Sequence, residues 1–217
     1  MTQRMKKITV AAMLVALSYA LMYVCRISLV PMASFLKYDP KDIVIALGGL
    51  IFGPMMTVAV SVTVSLLEMI TVSESGLIGL IMNVLSSCAF CTTTAWIYKK
   101  WHTVRGAVVS LLCGVGMTVC VMLLWNYLVT PIYMQVDRSI VAGMLLPAIL
   151  PFNVLKAGLN AGLTFLLYRP VVTALRKTRL IPPSRGGKKQ NLLPLMLGVS
   201  LIVITCVLVI LVMNGVL

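Results

Sequence analysis

The chain has 217 residues, of which 60% are hydrophobic and only 11% charged, with a formal net charge of +13. This balance excludes a water-soluble globular domain, in which about a quarter of the residues carry charge. The basic residues sit at the ends of apolar runs rather than along one stripe, so they read as orientation signals of a membrane protein and not as a nucleic-acid footprint.

At the N-terminus, Arg4, Lys6 and Lys7 precede a first predicted span from about Ile8 to Val30. Its apolar run continues through Met22, Tyr23 and Val24, which favours an uncleaved span over a signal peptide. The polar stretch SFLKYDPKD follows, with Pro40 marking a break. The apolar stretch from Ile43 to Ile70 is divided at Gly53-Pro54. With that division Lys99, Lys100 and Arg105 fall on the same side as Arg4, Lys6 and Lys7, whereas a single helix would separate the two clusters. From Asp42 to Gly53 is twelve residues, or about 18 Å of helix, too short for a hydrocarbon core of ~30 Å. The loop before it must dip inward or fold over something, and such a loop is tolerated at membrane depth only where it is buried in protein or lines a cavity.

Further spans are predicted at 54–72, 76–98, 106–129, 140–168 and 192–214, the last after the basic linker TRLIPPSRGGKKQ. Three Lys or Arg at the N-terminus, three at 99–105 and seven at 169–189 place 13 of the 18 on one side, and Asp39, Asp42, Glu74 and Asp137 fall opposite. The N-terminus is therefore expected in the cytoplasm. The expected fold class is all-α: a polytopic membrane protein with a six-helix transmembrane bundle (1–175), a basic Pro/Gly linker (176–191) and an additional C-terminal transmembrane helix (192–217). No internal repeat or inverted halves are visible.

Catalytic motifs are sparse. GGKK in the tail lacks the upstream glycine and the hydroxyl of a nucleotide-binding P-loop, and His102 is the only histidine. Cys25, Cys88, Cys91, Cys113, Cys120 and Cys206 lie almost entirely in apolar segments and imply no disulfide framework. The CxxC of Cys88 and Cys91 has no second pair, so packing is favoured over metal binding.

Polar residues inside apolar spans carry the functional signal. Asn153, Lys156 and Asn160 fall within about 60° of each other on one helix face. Gly158 and Gly162 form a GxxxG on roughly the opposite face, suited to close helix approach. Lys156 costs at least ~2.5 kcal/mol in hydrocarbon and must meet water, an acid or a ligand. One reading makes it a ligand group; the other pairs it structurally with Glu68. Thr57, Ser61, Ser65 and Glu68 form a second stripe, with Glu68 either a ligand group or an interfacial group in contact with water. Asn126 and Asn83 add two amides, each able to serve a ligand or to bridge helices. An amide offers a donor and an acceptor, which suits a neutral heterocycle. Trp125, Tyr127 and Tyr38 fit either its apolar faces or the membrane-interface belt. Ala12, Ala16 and Ala20 form a small-residue ridge on the first span, suited to packing within the bundle or against a partner.

Four segments resemble the substrate-binding S components of energy-coupling-factor (ECF) vitamin transporters, and within them the riboflavin-specific members: FLKYDPKDIVIALGGLIFGP at 35–54, SLLEMITVSESGLIGLIMN at 65–83, NYLVTPIYM at 126–134 and LPFNVLKAGLNAGLTFLLYRP at 150–170. The resemblance covers about 1–175 and implies a six-helix substrate-binding bundle in the bacterial cell membrane. It implies a riboflavin pocket near the extracellular side, with no catalysis, no metal and no cofactor, since riboflavin is the transported substrate. Asn126, Asn153 and Lys156 match positions that contact the flavin ring in the family, and the loop around Leu36, Lys37, Tyr38 and Asp39 matches its lid. Asn160, Glu68 and Asn83 complete the expected substrate-binding set. Ala12, Ala16 and Ala20 match the ridge that meets a transmembrane coupling protein, which works with two cytoplasmic ATPases. The final hydrophobic segment departs from the six-helix pattern. Two other readings stand beside this one: the same fold serving a different vitamin or heterocycle, and a membrane-embedded enzyme using Glu68 and Lys156 as an acid/base pair.

Overall fold

The computed structural model describes residues 3–28, 37–72, 75–177 and 193–213. The order is α1 (Gln3–Val24), β1 (Ile27–Ser28), β2 (Lys37–Tyr38), α2 (Lys41–Phe52), α3 (Pro54–Thr71), α4 (Gly76–Ser87), α5 (Thr93–Lys100), α6 (Val104–Met134), α7 (Arg138–Met144), α8 (Leu150–Lys177) and α9 (Leu193–Met213). A π-helical turn at Cys88–Thr92 joins α4 to α5, and another at Leu145–Ile149 joins α7 to α8. Each pair is therefore one continuous rod. Six rods form the bundle, and α9 packs beside α8.

Among the described residues, five rods are long and apolar enough to cross a membrane: Met5–Val24, Pro54–Thr71, Gly76–Lys100, Val104–Met134 and Arg138–Leu175. The outward surface is apolar, as lipid contact requires, with Met55, Ile70, Leu112 and Leu146 among its exposed side chains. The chain is a polytopic α-helical membrane protein.

The sixth rod is α2, with 12 residues. Its side chains from Lys41 to Leu50 are all buried, so it is the core of the bundle and meets lipid nowhere along that stretch. Gly48 and Gly49 make this possible. A Cβ on Gly48 would stand 2.6 Å from Leu14 of α1, and one on Gly49 would stand 2.2 Å from Thr57 of α3. The division from α3 falls where the sequence predicts. Gly53 adopts φ 96, a left-handed conformation that glycine takes without penalty. Pro54 then opens α3 at a position where its missing N–H costs nothing.

The first span is shorter than expected. Helix α1 ends at Val24, and Ile27–Ser28 pairs antiparallel with Lys37–Tyr38 instead of extending the helix to Val30. Arg26 gives a physical reason, since an arginine is costly within a lipid-facing helix but free to turn inward from an extended segment. Residues 29–36, including Leu36, lie outside the described residues, as do Glu74 and most of the 176–191 linker.

The GxxxG of α8 is used at one glycine. Val203 and Val199 of α9 lie against Gly162, where a Cβ would meet Val203 at 2.5 Å, whereas nothing stands within 4 Å of a Cβ on Gly158. The close neighbour is the C-terminal helix.

Candidate functional site

The chain between β2 and α2 folds inward over one end of the bundle. Tyr38 is buried against Val141, Ile149 and Phe152. Its hydroxyl donates to Asn160 Oδ1 over 3.1 Å. The inward-folding loop expected from the shortness of α2 is present over its described part, and Tyr38 belongs to the interior and not to an interface belt. Tyr127, by contrast, is exposed.

Behind this loop lies a buried charge cluster. Lys41 donates to Glu68 Oε2 and stands 3.9 Å from Asp39 Oδ1. Lys156 Nζ lies 3.4 Å from Asp39 Oδ2. Asp42 Oδ1 accepts from the Ser87 hydroxyl at the π-helical turn, and its backbone carbonyl accepts from the Cys91 thiol. Burial alone would raise the Asp39 carboxyl, but the ammonium groups of Lys156 and Lys41 outweigh it and hold its pKa below the ordinary value. These pairs correct the sequence reading. Glu68 is only 3% exposed and takes Lys41 as its partner rather than Lys156. Lys156 takes Asp39.

Beside the cluster a two-lobed cleft opens between the β1–β2 segment, α4, α6 and α8. Its larger lobe, about 350 Å³, is lined by Arg26, Lys37, Trp125, Asn126, Thr130 and Tyr133, among others. The smaller, about 70 Å³, is lined by Asp39, Glu68, Asn83, Phe152, Asn153 and Lys156, among others. Arg26, Lys37, Ser75, Gly79 and Met82 line both lobes and make them continuous.

The amides are held with capacity to spare. Asn126 donates one N–H to Met122 O over 2.7 Å, and its Oδ1 accepts from Thr130 over 2.9 Å. Asn153 donates one N–H to Ile149 O over 2.8 Å. Each bond runs back within its own helix, fixing the amide plane while leaving the second N–H. One oxygen of Asp39 is buried without a hydrogen bond. Such orphaned acceptors are uncommon in protein interiors.

Of the residues singled out in the sequence, Asn126, Asn153, Lys156, Glu68, Asn83, Lys37 and Asp39 line this one cleft. Asn160 stands behind it, occupied by Tyr38. Leu36 lies outside the described residues. Ala12, Ala16 and Ala20 lie exposed on α1, so the ridge is not spent on packing within the bundle. Sequence reasoning missed Arg26, Lys41 and Asp42. The signal was the length of α2: a helix too short to cross must be enclosed, and its flanking charges are enclosed with it.

A lipid-embedded bundle with an internal polar cleft at one end defines a protein that holds a small molecule within the membrane. The chain belongs to the family of ECF transporter substrate-specific components, whose family model matches residues 6–168. It is 29% identical over 162 residues to the riboflavin transporter FmnP of Bacillus subtilis (strain 168), covering 70% of this chain and 85% of that protein. It is 24% identical over 181 residues to the riboflavin transporter RibU of Staphylococcus aureus (strain TCH60), covering 81% and 95%. A solved S component of a bacterial ECF transporter superposes with a TM-score of 0.68 at 25% identity, covering 80% of this chain and 99% of that one. The family match ends before α9.

Proposed function

We propose that this S component captures riboflavin in the two-lobed cleft and releases it unchanged. The carrying observation is that two uncharged amides on different helices, Asn126 and Asn153, line one two-lobed cleft together with Lys156, in a chain similar to two riboflavin transporters. A flavin ring is planar and uncharged, with N–H and C=O groups along one edge. The spare N–H groups of the amides and of Lys156 suit its carbonyls, and Asp39 offers an acceptor for a ring N–H or a ribityl hydroxyl. Trp125, Met82 and Phe152 give the apolar faces against which the ring packs. In this assignment Asn83 and Lys37 complete the lining, while Glu68 and Asn160 position their neighbours by holding Lys41 and Tyr38.

The N-terminus and the 99–105 loop face the cytoplasm in this reading, so the cleft opens outward. The bound vitamin passes inward with a membrane coupling protein and two cytoplasmic ATPase subunits, and the exposed Ala12, Ala16 and Ala20 ridge of α1 meets the coupling protein. Residues 1–175 form the binding unit and 192–217 an appended helix.

Titration of detergent-purified protein with riboflavin tests the assignment. Flavin fluorescence is expected to quench to a 1:1 endpoint, with the ligand recovered chemically intact. Absence of quenching, or tighter binding of an unrelated heterocycle in a competition panel, would overturn it.

A further inference from the structure

A second cavity lies at the other end of the bundle. From Asn153 to Arg169 along α8 is 16 residues, or about 24 Å of helix. The cavity holds about 160 Å³ and is lined by residues of α5, α6, α8, α9 and the loop before α6. Its polar groups are Arg169, His102, Thr103 and the hydroxyls of Tyr98 and Tyr168, which stand 3.0 Å apart. His102 rests edge-on against Tyr98 at 5.2 Å. Val104, Ala107, Phe165 and Met196 form the apolar remainder, and no acid lines it among the described residues.

The surroundings indicate depth. Trp96 and Trp101 are 55% and 58% exposed and point outward, and Lys100 lies over the Trp96 ring at 3.9 Å. Lys99 and Arg105 are exposed at the same end. Tryptophan and lysine at one level mark the headgroup layer of a bilayer. A basic, part-apolar pocket between membrane helices at that level has the composition of an anionic-lipid site. Met196 of α9 lies beyond the family match at 6–168 and adds one apolar side chain to a lining otherwise built by α5, α6, α8 and the loop before α6.

We propose that this cavity is a second ligand site, for the headgroup of an anionic phospholipid. Arg169 and His102 receive the phosphate, the tyrosine pair and Thr103 supply neutral hydrogen-bonding groups, and Phe165 and Met196 meet the first acyl carbons. The occupant is a lipid rather than a free anion because four of the nine lining residues, Val104, Ala107, Phe165 and Met196, are apolar and the flanking Trp96, Trp101 and Lys100 set the cavity at headgroup level. The site is independent of the riboflavin reading.

Native mass spectrometry of the full chain in neutral detergent, titrated with phosphatidylglycerol or phosphatidylcholine, reads it directly. Wild-type protein is expected to retain one phosphatidylglycerol about tenfold more tightly than phosphatidylcholine: both present the phosphate, but the trimethylammonium of phosphatidylcholine meets a lining that holds Arg169 and no acid among the described residues. Arg169→Gln removes that preference, Met196→Trp fills the cavity from α9 and lowers retention without changing charge, and Arg105→Gln, outside the lining, leaves retention unchanged. Equal retention of the two lipids by the wild type overturns the proposal without recourse to any variant. Displacement of the lipid by millimolar inorganic phosphate overturns the lipid assignment, and retention unaffected by both Arg169→Gln and Met196→Trp overturns the location. Riboflavin titration of the same samples reports on the opposite end, so a failure there is distinguishable from a failure here.

Discussion

At the scale of single residues, two lysines of the same charge carry different burdens. Lys41 is 1% exposed and stands between Glu68 and Asp39. Lys156 is 8% exposed and borders the cleft. A buried pair adds little net stability relative to a hydrophobic replacement, but removing one partner leaves a desolvated charge and costs about 3–5 kcal/mol. Lys41→Met is therefore expected to lower the detergent melting temperature sharply, because Glu68 loses its ammonium. Lys156→Ala opens Asp39 to the cleft, where water solvates the carboxylate. It is expected to preserve most of the stability and to weaken riboflavin binding about tenfold, through one lost charge-assisted hydrogen bond. Thermal unfolding and flavin titration of both variants separate the two roles. A Lys41→Met protein as stable as wild type would remove the structural assignment, and unchanged affinity in Lys156→Ala would remove that residue from the site.

Among the elements, α1 and α9 present the two contrasting surfaces. On α1, Val10, Ser18 and Met22 turn inward and are buried, while Ala12, Ala16 and Ala20 turn outward. A smooth ridge facing lipid gains nothing from being small unless another helix approaches it. Ala16→Leu is expected to leave riboflavin binding in detergent unchanged and to cut uptake by cells carrying the coupling protein and ATPases about tenfold or more, since overpacking a helix contact costs ~1–3 kcal/mol. Uptake at the wild-type rate would assign the ridge to lipid. On the other flank, α9 reaches the core through Val203 and Cys206, which pack against the cluster containing Ile149, Phe152 and Leu159. We propose that the six-rod bundle is complete without α9, so a chain ending after Lys177 is expected to insert and to quench riboflavin with nearly the full-length affinity. Loss of insertion or of quenching would make α9 part of the binding unit.

For the whole molecule, the charge asymmetry and the cleft make one joint statement about orientation. If the basic 99–105 loop faces the cytoplasm, the cleft at the opposite end opens outward. In a cysteine-free background, Trp101→Cys is expected to resist membrane-impermeant maleimide in intact cells and to react after permeabilisation. Labelling in intact cells would invert the topology and rule out outward-facing capture.

Much of the architecture was legible in the sequence because hydrocarbon solvent imposes its rules locally. Spans of about 20 apolar residues, their basic flanks and the Gly53-Pro54 break each follow from the cost of exposing backbone or charge to lipid, and each can be read from a short window of chain. The polar faces of α3 and α8 were legible for the same reason. What each polar group does was not. That Lys41 rather than Lys156 meets Glu68, that Asn160 anchors Tyr38 across 122 positions of sequence, and that Gly162 receives α9 rather than another bundle helix were decided by tertiary packing. A buried charge or amide takes whichever partner the folded chain brings within about 3 Å, and periodicity along one helix carries no information about its neighbours.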